Sequence, residues 1–259
     1  MSEKNHEGKR AARERLAVER EKQKAAEKRR RTLIVGASVV CVLGLAAVIG
    51  VVAANAGKDK GGEKAAGPVV APSGAQGKDS LAIPVGKDAA KSTLTVWEDV
   101  RCPACQAFET AYRPTLHELA DSGKLRIEYH LVRLIDGNLG GTGSLRGANA
   151  AACAQDAGKF RDYHDVLYAN QPKETDDAFS SNDKLVELAG KVTGLDTPAF
   201  RKCVEDGTHD SWVEKSHKAF QSGGFTGTPA VLLNGKNIYQ DQTMTPAKLK
   251  QMVEAADRG

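Results

Sequence analysis

The chain has 259 residues, a formal net charge of +4 at pH 7, 41% apolar residues and 5% aromatic residues, which is ordinary for a soluble protein and enough for one good-sized domain with appendages. Twelve Lys and Arg and six Glu lie in residues 1–31, so the rest of the chain is slightly acidic. The basic balance therefore belongs to a terminal segment and does not indicate that the folded domain binds nucleic acid.

The N-terminal segment, residues 1–31, is rich in Ala, Glu, Lys and Arg and has almost no large apolar residues that could build a core. Binding to nucleic acid or to anionic lipid is one interpretation of such a segment. We favour a solvated cytoplasmic tail, because the interspersed Glu residues dilute any basic face.

An uncharged run of 23 residues follows, from Thr32 to Ala54. As a helix it would span about 35 Å, enough to cross a hydrocarbon core of about 30 Å. Four basic residues at 28–31 precede it, so the positive-inside rule predicts a single-pass membrane anchor at 32–54, with the N-terminus cytoplasmic and the downstream domain extracytoplasmic. The alternative is a signal peptide cleaved after Ala56, because an A-x-A site ends there. Both interpretations export the same domain.

Residues 55–78 are rich in Gly, Ala, Lys and Pro and predict a flexible linker. The remaining residues, 79–259, predict one α/β domain. Its first part has β-prone runs and one helical period in the order strand, strand, helix, strand, and we place these elements at residues 81–85, 94–97, 104–122 and 125–132.

About 80 residues of mainly helical character come next and predict a helical insertion at about residues 141–222. The chain then returns to β character, where apolar runs on either side of Asn234-Gly235 predict a hairpin with a type I′ turn. Thr245-Pro246 opens a last helix. The complete order, β-α-β, helical insertion and β-β-α, predicts a thioredoxin-like fold with an inserted helical domain.

The sequence Cys102-Pro103-Ala104-Cys105 lies between a predicted strand and a predicted helix. Pro is favoured in the first turn of a helix, so Pro103 places Cys102 at the helix N-terminus, where unpaired N–H groups stabilise a thiolate. Disulfide exchange needs that thiolate, because it attacks a sulfur atom and forms a mixed disulfide. Cys105, one turn later, can resolve the mixed disulfide.

Other uses of a CxxC pair fit this chain less well. A structural zinc site needs about four ligands, and the sequence has no second CxxC and no paired His motif. Attachment of a c-type haem needs His after the second Cys, where Gln106 stands. An inert disulfide remains an alternative. We therefore predict no metal and no cofactor other than the redox-active disulfide.

Three separated segments resemble the DsbA-like family of thioredoxin-fold oxidoreductases: Val96 to Cys105, Phe160 to Gln171, and Gly224 to Pro229 with the following hairpin. The resemblance covers about residues 79–259. It implies that Cys102 is the exposed nucleophile, Cys105 the resolving thiol and Pro229 a cis-proline beside the disulfide. Thr228 would then pair through its backbone with an extended substrate segment.

One residue departs from the pattern of the best-known oxidising members, which have His where this chain has Ala104. Glu98 and Asp99 precede the CxxC sequence and are candidates for proton transfer, with a solvated loop as the alternative. Cys153 and Cys203 lie 50 positions apart in the helical insertion and predict a structural disulfide, although a redox relay through them is an alternative.

We expect from these observations an extracytoplasmic thiol:disulfide oxidoreductase that introduces disulfides into exported proteins with free thiols. The family implies reoxidation by a membrane enzyme, either DsbB-like or similar to vitamin K epoxide reductase. A disulfide reductase or isomerase that uses Cys102 and Cys105 is the first alternative. A non-catalytic peptide-binding module is the second.

Overall fold

The computed structural model describes residues 68–258. The predicted tail at 1–31, the predicted membrane anchor at 32–54 and the first part of the predicted linker lie outside these residues. No helix within 68–258 has the length and apolar character needed to cross a membrane.

A five-stranded sheet forms the centre of the domain, with the strands in the order β1-β3-β2-β4-β5. Strands β2 and β3 are parallel to each other, whereas every other neighbouring pair is antiparallel. The strand bounds are Ile83–Val85 for β1, Ser92–Glu98 for β2, Leu125–Leu131 for β3, Ala230–Leu233 for β4 and Lys236–Asn237 for β5.

The positions of the strands follow from their sequences. Pro84 lies in β1, one of the two edge strands. Proline has no N–H group, and at an edge this removes no hydrogen bond between inner strands of the sheet. Burial alternates along β2, so Leu94, Val96 and Glu98 share the buried face. In the turn between β4 and β5, Asn234 and Gly235 both have positive φ, at 49° and 80°, as a type I′ turn requires.

Eight α-helices surround this sheet within the described residues. The first, α1, follows β2, six helices lie between β3 and β4, and the last follows β5. Their bounds are Pro103–Asp121 (α1), Leu134–Leu139 (α2), Gly143–Asp156 (α3), Phe160–Ala169 (α4), Asn182–Ala189 (α5), Pro198–Asp206 (α6), Asp210–Ser222 (α7) and Pro246–Arg258 (α8).

The helical insertion begins earlier than the sequence predicts. Helix α2 already starts at Leu134, whereas the predicted insertion starts at about residue 141. The helix is only six residues long and contains Gly137, so it shows no helical period that a sequence pattern could detect. Contacts with the strand-to-helix loop hold it in place, as described below.

The end of the predicted linker is packed against the domain. The backbone N–H of Ser73 donates to the Asp156 carboxylate at 2.7 Å, and the ring Nδ1 of His209 lies 2.8 Å from the Val70 carbonyl oxygen. Pro72 is buried. The folded domain therefore includes residues from at least Val70 onward rather than starting at 79, because contacts with distant residues of the helical insertion hold a segment whose composition predicts a linker.

Candidate active site

The two cysteines of the CxxC sequence lie at the N-terminus of α1. Cys102 is the residue before the first helical position, and Pro103 occupies that position, as the sequence predicts. Cys102 is 7% exposed and Cys105 is fully buried, and both are free thiols in this structure. The reactive sulfur is therefore the outer one, and the second sulfur lies one turn deeper in the helix.

The surroundings of Cys102 favour its thiolate. The Cys105 thiol, the nearby Thr228 hydroxyl and the backbone N–H groups of Cys105 and Ala104 together outweigh the cost of burial and lower the pKa of Cys102 to about 6. Most of Cys102 is consequently ionised at pH 7. Ala104 contributes through its backbone, which any residue at that position can do.

The surroundings of Cys105 have the opposite effect. Burial, the adjacent Cys102 and the charge of Glu98 raise the pKa of Cys105 well above that of an ordinary thiol. The two sulfur atoms therefore differ in protonation at neutral pH, with a thiolate at Cys102 and a thiol at Cys105. This difference fits one nucleophilic and one resolving cysteine.

The segment before β4 brings two further predicted residues to the cysteines. The Thr228–Pro229 peptide bond is cis, and the Cys102 Sγ atom lies 3.3 Å from the Thr228 carbonyl oxygen. Strand β4 then pairs Ala230 with Trp97 of β2. The pairing of β2 with β4 therefore fixes Thr228 and Pro229 beside Cys102, although the two segments are 126 positions apart.

The two acidic residues before the CxxC sequence are fully buried, so the solvated-loop interpretation is wrong. Asp99 accepts hydrogen bonds from the backbone N–H groups of Arg101 and Ile135, both at 2.8 Å. Burial raises the pKa of Asp99 to about 7. These bonds show that Asp99 organises the loop before Cys102 and anchors the start of α2.

Glu98 lies on the buried face of β2 and contacts a histidine of the helical insertion. Its Oε1 atom is 2.6 Å from the Nε2 atom of His164 in α4. Burial lowers the pKa of His164, but Glu98 and Asp165 more than compensate and raise it to about 10. Glu98 and His164 therefore form a buried ion pair, a role that the sequence did not assign to either residue.

Glu109 is a further acidic residue that sequence reasoning missed. It is only 1% exposed, and burial raises its pKa to about 8. It follows Cys105 by four positions in α1, so the two side chains occupy the same face of the helix. The sequence offered one indication that Glu109 is buried, its position one helical turn after Cys105. The same helix also contains exposed acidic residues, and the sequence does not distinguish these from Glu109.

Arg101, the residue before Cys102, ties the loop to the helical insertion. It is 2% exposed, and its guanidinium nitrogen Nη1 lies 2.6 Å from Asp136 and 2.9 Å from Asp177. It also donates to the carbonyl oxygens of Gly140 and Glu174, both at 3.0 Å. Because Arg101 is buried and has several polar partners, it fixes the backbone directly before the nucleophile Cys102.

The other cysteine pair forms a disulfide within the helical insertion. Cys153 of α3 and Cys203 of α6 are bonded, with Cα atoms 5.9 Å apart. His209 is close to both sulfur atoms, but sulfur in a disulfide is not a thiolate ligand, so this group does not form a metal site as it stands. The bond closes a loop between two helices and is separate from the CxxC pair.

Comparisons with known proteins agree with this geometry. A protein-family model described as "Thioredoxin" matches residues 79–255. The "Probable disulfide bond formation protein D" of Bacillus cereus is 28% identical over 154 residues, which are 58% of this chain and 69% of that protein. The "Disulfide bond formation protein D" of Bacillus subtilis is 26% identical over 157 residues, which are 60% of this chain and 68% of that protein.

Solved structures give the same result. A reduced disulfide bond oxidoreductase (DsbG) from Mycobacterium tuberculosis superposes with a TM-score of 0.61 at 27% identity, covering 71% of this chain and 90% of that one. Oxidised DsbA from the same organism gives 0.58 at 28% identity, with 68% and 92% covered. The chain therefore belongs to this thioredoxin family and is a DsbA-like thiol:disulfide oxidoreductase.

Proposed function

We propose that this enzyme works as an oxidase, donating the Cys102–Cys105 disulfide to thiols of exported proteins. The observation that carries the proposal is the contrast between the two sulfurs, with the pKa of Cys102 lowered to about 6 and that of Cys105 raised. A stabilised thiolate favours the reduced dithiol over the disulfide, and this makes the disulfide a better oxidant.

The cycle begins when a substrate thiolate attacks the Sγ atom of Cys102 in the oxidised enzyme. The Cys102–Cys105 bond breaks, a mixed disulfide with Cys102 forms, and Cys105 leaves as a thiolate that takes up a proton. A second substrate thiolate then attacks the substrate sulfur of the mixed disulfide. Cys102 leaves as a thiolate that needs no proton at pH 7, because of its low pKa.

The lowered pKa of Cys102 shifts the reduction potential toward that of an oxidant. With a pKa of about 6, ionisation of Cys102 stabilises the reduced form at pH 7 by about 1.4 kcal/mol, or about 30 mV for a two-electron couple. A thiol with a pKa of about 7, as in thioredoxin, gains about 0.4 kcal/mol. Thiolate stabilisation at Cys102 is therefore one contribution that raises the potential of this pair relative to thioredoxin, and the measured potential gives the total.

The same site suggests how a substrate is held. Thr228 is partly exposed beside Cys102. Its cis peptide bond to Pro229 comes directly before strand β4. An extended substrate segment could pair with the Thr228 backbone and present its thiol to Cys102. Main-chain pairing of this kind places few demands on substrate side chains and suits an enzyme with many unrelated substrates.

We place this domain outside the cytoplasm, anchored by residues 32–54, with reoxidation by a membrane enzyme that is DsbB-like or similar to vitamin K epoxide reductase. The uncharged run after the basic residues at 28–31 supports this placement. The Cys153–Cys203 disulfide supports it as well, because such bonds persist in oxidising compartments.

The reduction potential of the Cys102–Cys105 pair tests the direction of the reaction. We would equilibrate the protein with glutathione at pH 7 and measure thioredoxin in parallel as a reference. A potential above about −180 mV, toward the roughly −120 mV of strong oxidants, would support disulfide donation. A value at or below about −270 mV would favour the reductase alternative. Slow alkylation of Cys102 at pH 7 would instead favour a non-catalytic peptide-binding module.

A further inference from the structure

Three buried side chains converge beneath the active site, each from a different element. Glu98 comes from β2, Glu109 from α1 and His164 from α4, and one ligand atom of each lies within 4.8 Å of the others. Their exposures are 0%, 1% and 2%. His164 is 66 positions from Glu98, so this group exists only because the helical insertion packs against the sheet.

The polar atoms of this group are not satisfied by the protein. Oε1 of Glu98 contacts His164, but Oε2 of Glu98 and Oε1 of Glu109 are buried without any hydrogen-bond partner in the described part of the chain. Burying such oxygens costs free energy unless a proton, water or cation compensates. Two carboxyl groups thus face a single imidazole in a closed space, where burial keeps Glu109 mainly protonated and the ion pair with Glu98 keeps His164 protonated at neutral pH.

Both ring nitrogens of His164 face carboxyl groups. Its Nε2 atom points to Glu98, while Nδ1 lies 3.9 Å from the carboxylate of Asp165. The distance to Asp165 is longer than a hydrogen bond, so Asp165 contributes its charge rather than a contact that fixes the ring. The rings of Tyr129, Phe160 and Tyr168 surround the imidazole at centroid distances of 4.7, 5.2 and 4.9 Å. This gives the group an apolar shell.

We propose that Glu98, Glu109 and His164 bind one divalent cation of the zinc type. Two carboxylate oxygens and one imidazole nitrogen are a donor set that suits Zn²⁺, with a remaining position for water. On binding, the cation would displace the proton of the Glu109 carboxyl and the Nε2 proton of His164, both of which pass to solvent, and it would join the sheet, α1 and the helical insertion. It would lie one helical turn from Cys105, since Glu109 follows that cysteine by four positions in α1.

The burial of all three ligands has a consequence for the experiment. A cation cannot enter from solvent without local opening, so loading should occur during folding and exchange should be slow. We would therefore refold the full-length protein, in its Cys102–Cys105 disulfide form, either with Zn²⁺ or with a chelator. After removal of free metal, zinc content would be measured by mass spectrometry and the thermal midpoint by circular dichroism.

The matched variants are Glu109→Gln, which keeps the shape of the side chain but removes its charge, and Glu118→Gln as a control. Glu118 lies in the same helix with its side chain 57% exposed. We expect about one zinc per chain in the wild type and in Glu118→Gln, with a raised thermal midpoint, and background zinc in Glu109→Gln. Because cysteines in a disulfide do not bind zinc, such a difference would belong to the carboxylate site.

Two results would overturn the proposal. One is wild-type protein that refolds with Zn²⁺ but retains none. The other is equal zinc content in the wild type and in Glu109→Gln. The thermal midpoint of chelator-refolded Glu109→Gln shows whether the variant folds. If it does not, Co²⁺ takes the place of Zn²⁺ in the wild type. Visible absorption of nitrogen and oxygen ligands alone would support the carboxylate site, whereas absorption of a cobalt–thiolate bond would assign the metal to Cys41, the fifth cysteine, in the predicted anchor at 32–54, and would overturn the proposal.

Discussion

The two cysteine pairs of this domain have the same chemistry available to them but occupy different surroundings. Cys102 and Cys105 lie at a helix N-terminus beside Thr228, and one of them is stabilised as a thiolate. Cys153 and Cys203 are bonded to each other between two helices of the insertion, with Cys153 only 2% exposed. Reactivity therefore depends on the helix terminus and the neighbouring strand rather than on the presence of a disulfide.

The comparison also separates redox function from stability. A disulfide between cysteines three positions apart restrains the unfolded chain little, whereas one between cysteines 50 positions apart restrains it considerably. The helical insertion gains stability from its disulfide, and the CxxC pair remains free to open and close during turnover.

The largest effect is expected from loss of the nucleophile. The substitution Cys102→Ser should reduce disulfide exchange with a reduced model peptide to the uncatalysed rate, because no thiolate remains to form the mixed disulfide. The double substitution Cys153→Ala with Cys203→Ala should retain the activity of the folded enzyme. Loss of activity in this double variant, while folded, would revive a redox relay between the pairs.

The double variant should instead lose stability. Removing the Cys153–Cys203 cross-link should lower the free energy of unfolding by about 4 kcal/mol, as expected for a loop of 50 residues in the chain-entropy model. Denaturant unfolding, followed by circular dichroism, measures this change. The matched comparison is the wild type with its Cys102–Cys105 disulfide reduced. A similar loss of unfolding free energy there would contradict a stabilising role for Cys153–Cys203 alone.

The pH dependence should distinguish the two thiols of the CxxC pair. Alkylation of Cys102 by iodoacetamide should rise with a midpoint near its pKa of about 6. The reduction potential should fall by about 59 mV per pH unit below that midpoint and by about 30 mV above it, because only Cys105 then takes up a proton. A single slope through pH 5 to 8 would show that the pKa of Cys102 is not lowered.

The sign of the linked stability follows from the same pKa. A thiol whose pKa is lower in the folded state stabilises the reduced fold as pH rises above about 6, and this contribution disappears when pH falls through that value. Unfolding of the reduced and oxidised forms at pH 5 and 8 checks this. The advantage of the reduced form should be greater at pH 8.

The smallest effect is expected at Thr228. Its hydroxyl helps to lower the pKa of Cys102 without forming a well-aligned hydrogen bond to it, so Thr228→Ala should raise that pKa by less than about one pH unit. The alkylation midpoint measures this change. Thr226→Ala, at an exposed position two residues earlier, is the control and should leave the midpoint unchanged.

Much of the fold was predictable because the strands and long helices follow clear periods. The prediction of a helix at 104–122 compares with Pro103–Asp121 in the structure, and the strand at 125–132 compares with Leu125–Leu131. The short helix α2 and the packing of residues 70–73 were not predicted. Neither has a period of its own, since contacts with residues distant in sequence stabilise both.

The sequence by itself placed Cys102 and Cys105 at a helix start, because Pro103 and the preceding strand leave few alternatives there. Only the tertiary structure brought Thr228 to Cys102, buried Glu98, Asp99 and Glu109, and set His164 against Glu98. The physical reason is the distance along the chain over which the deciding interactions act. Helix starts and strand periods depend on neighbours in the chain, whereas burial and the pKa values that follow from it depend on residues that packing alone brings together.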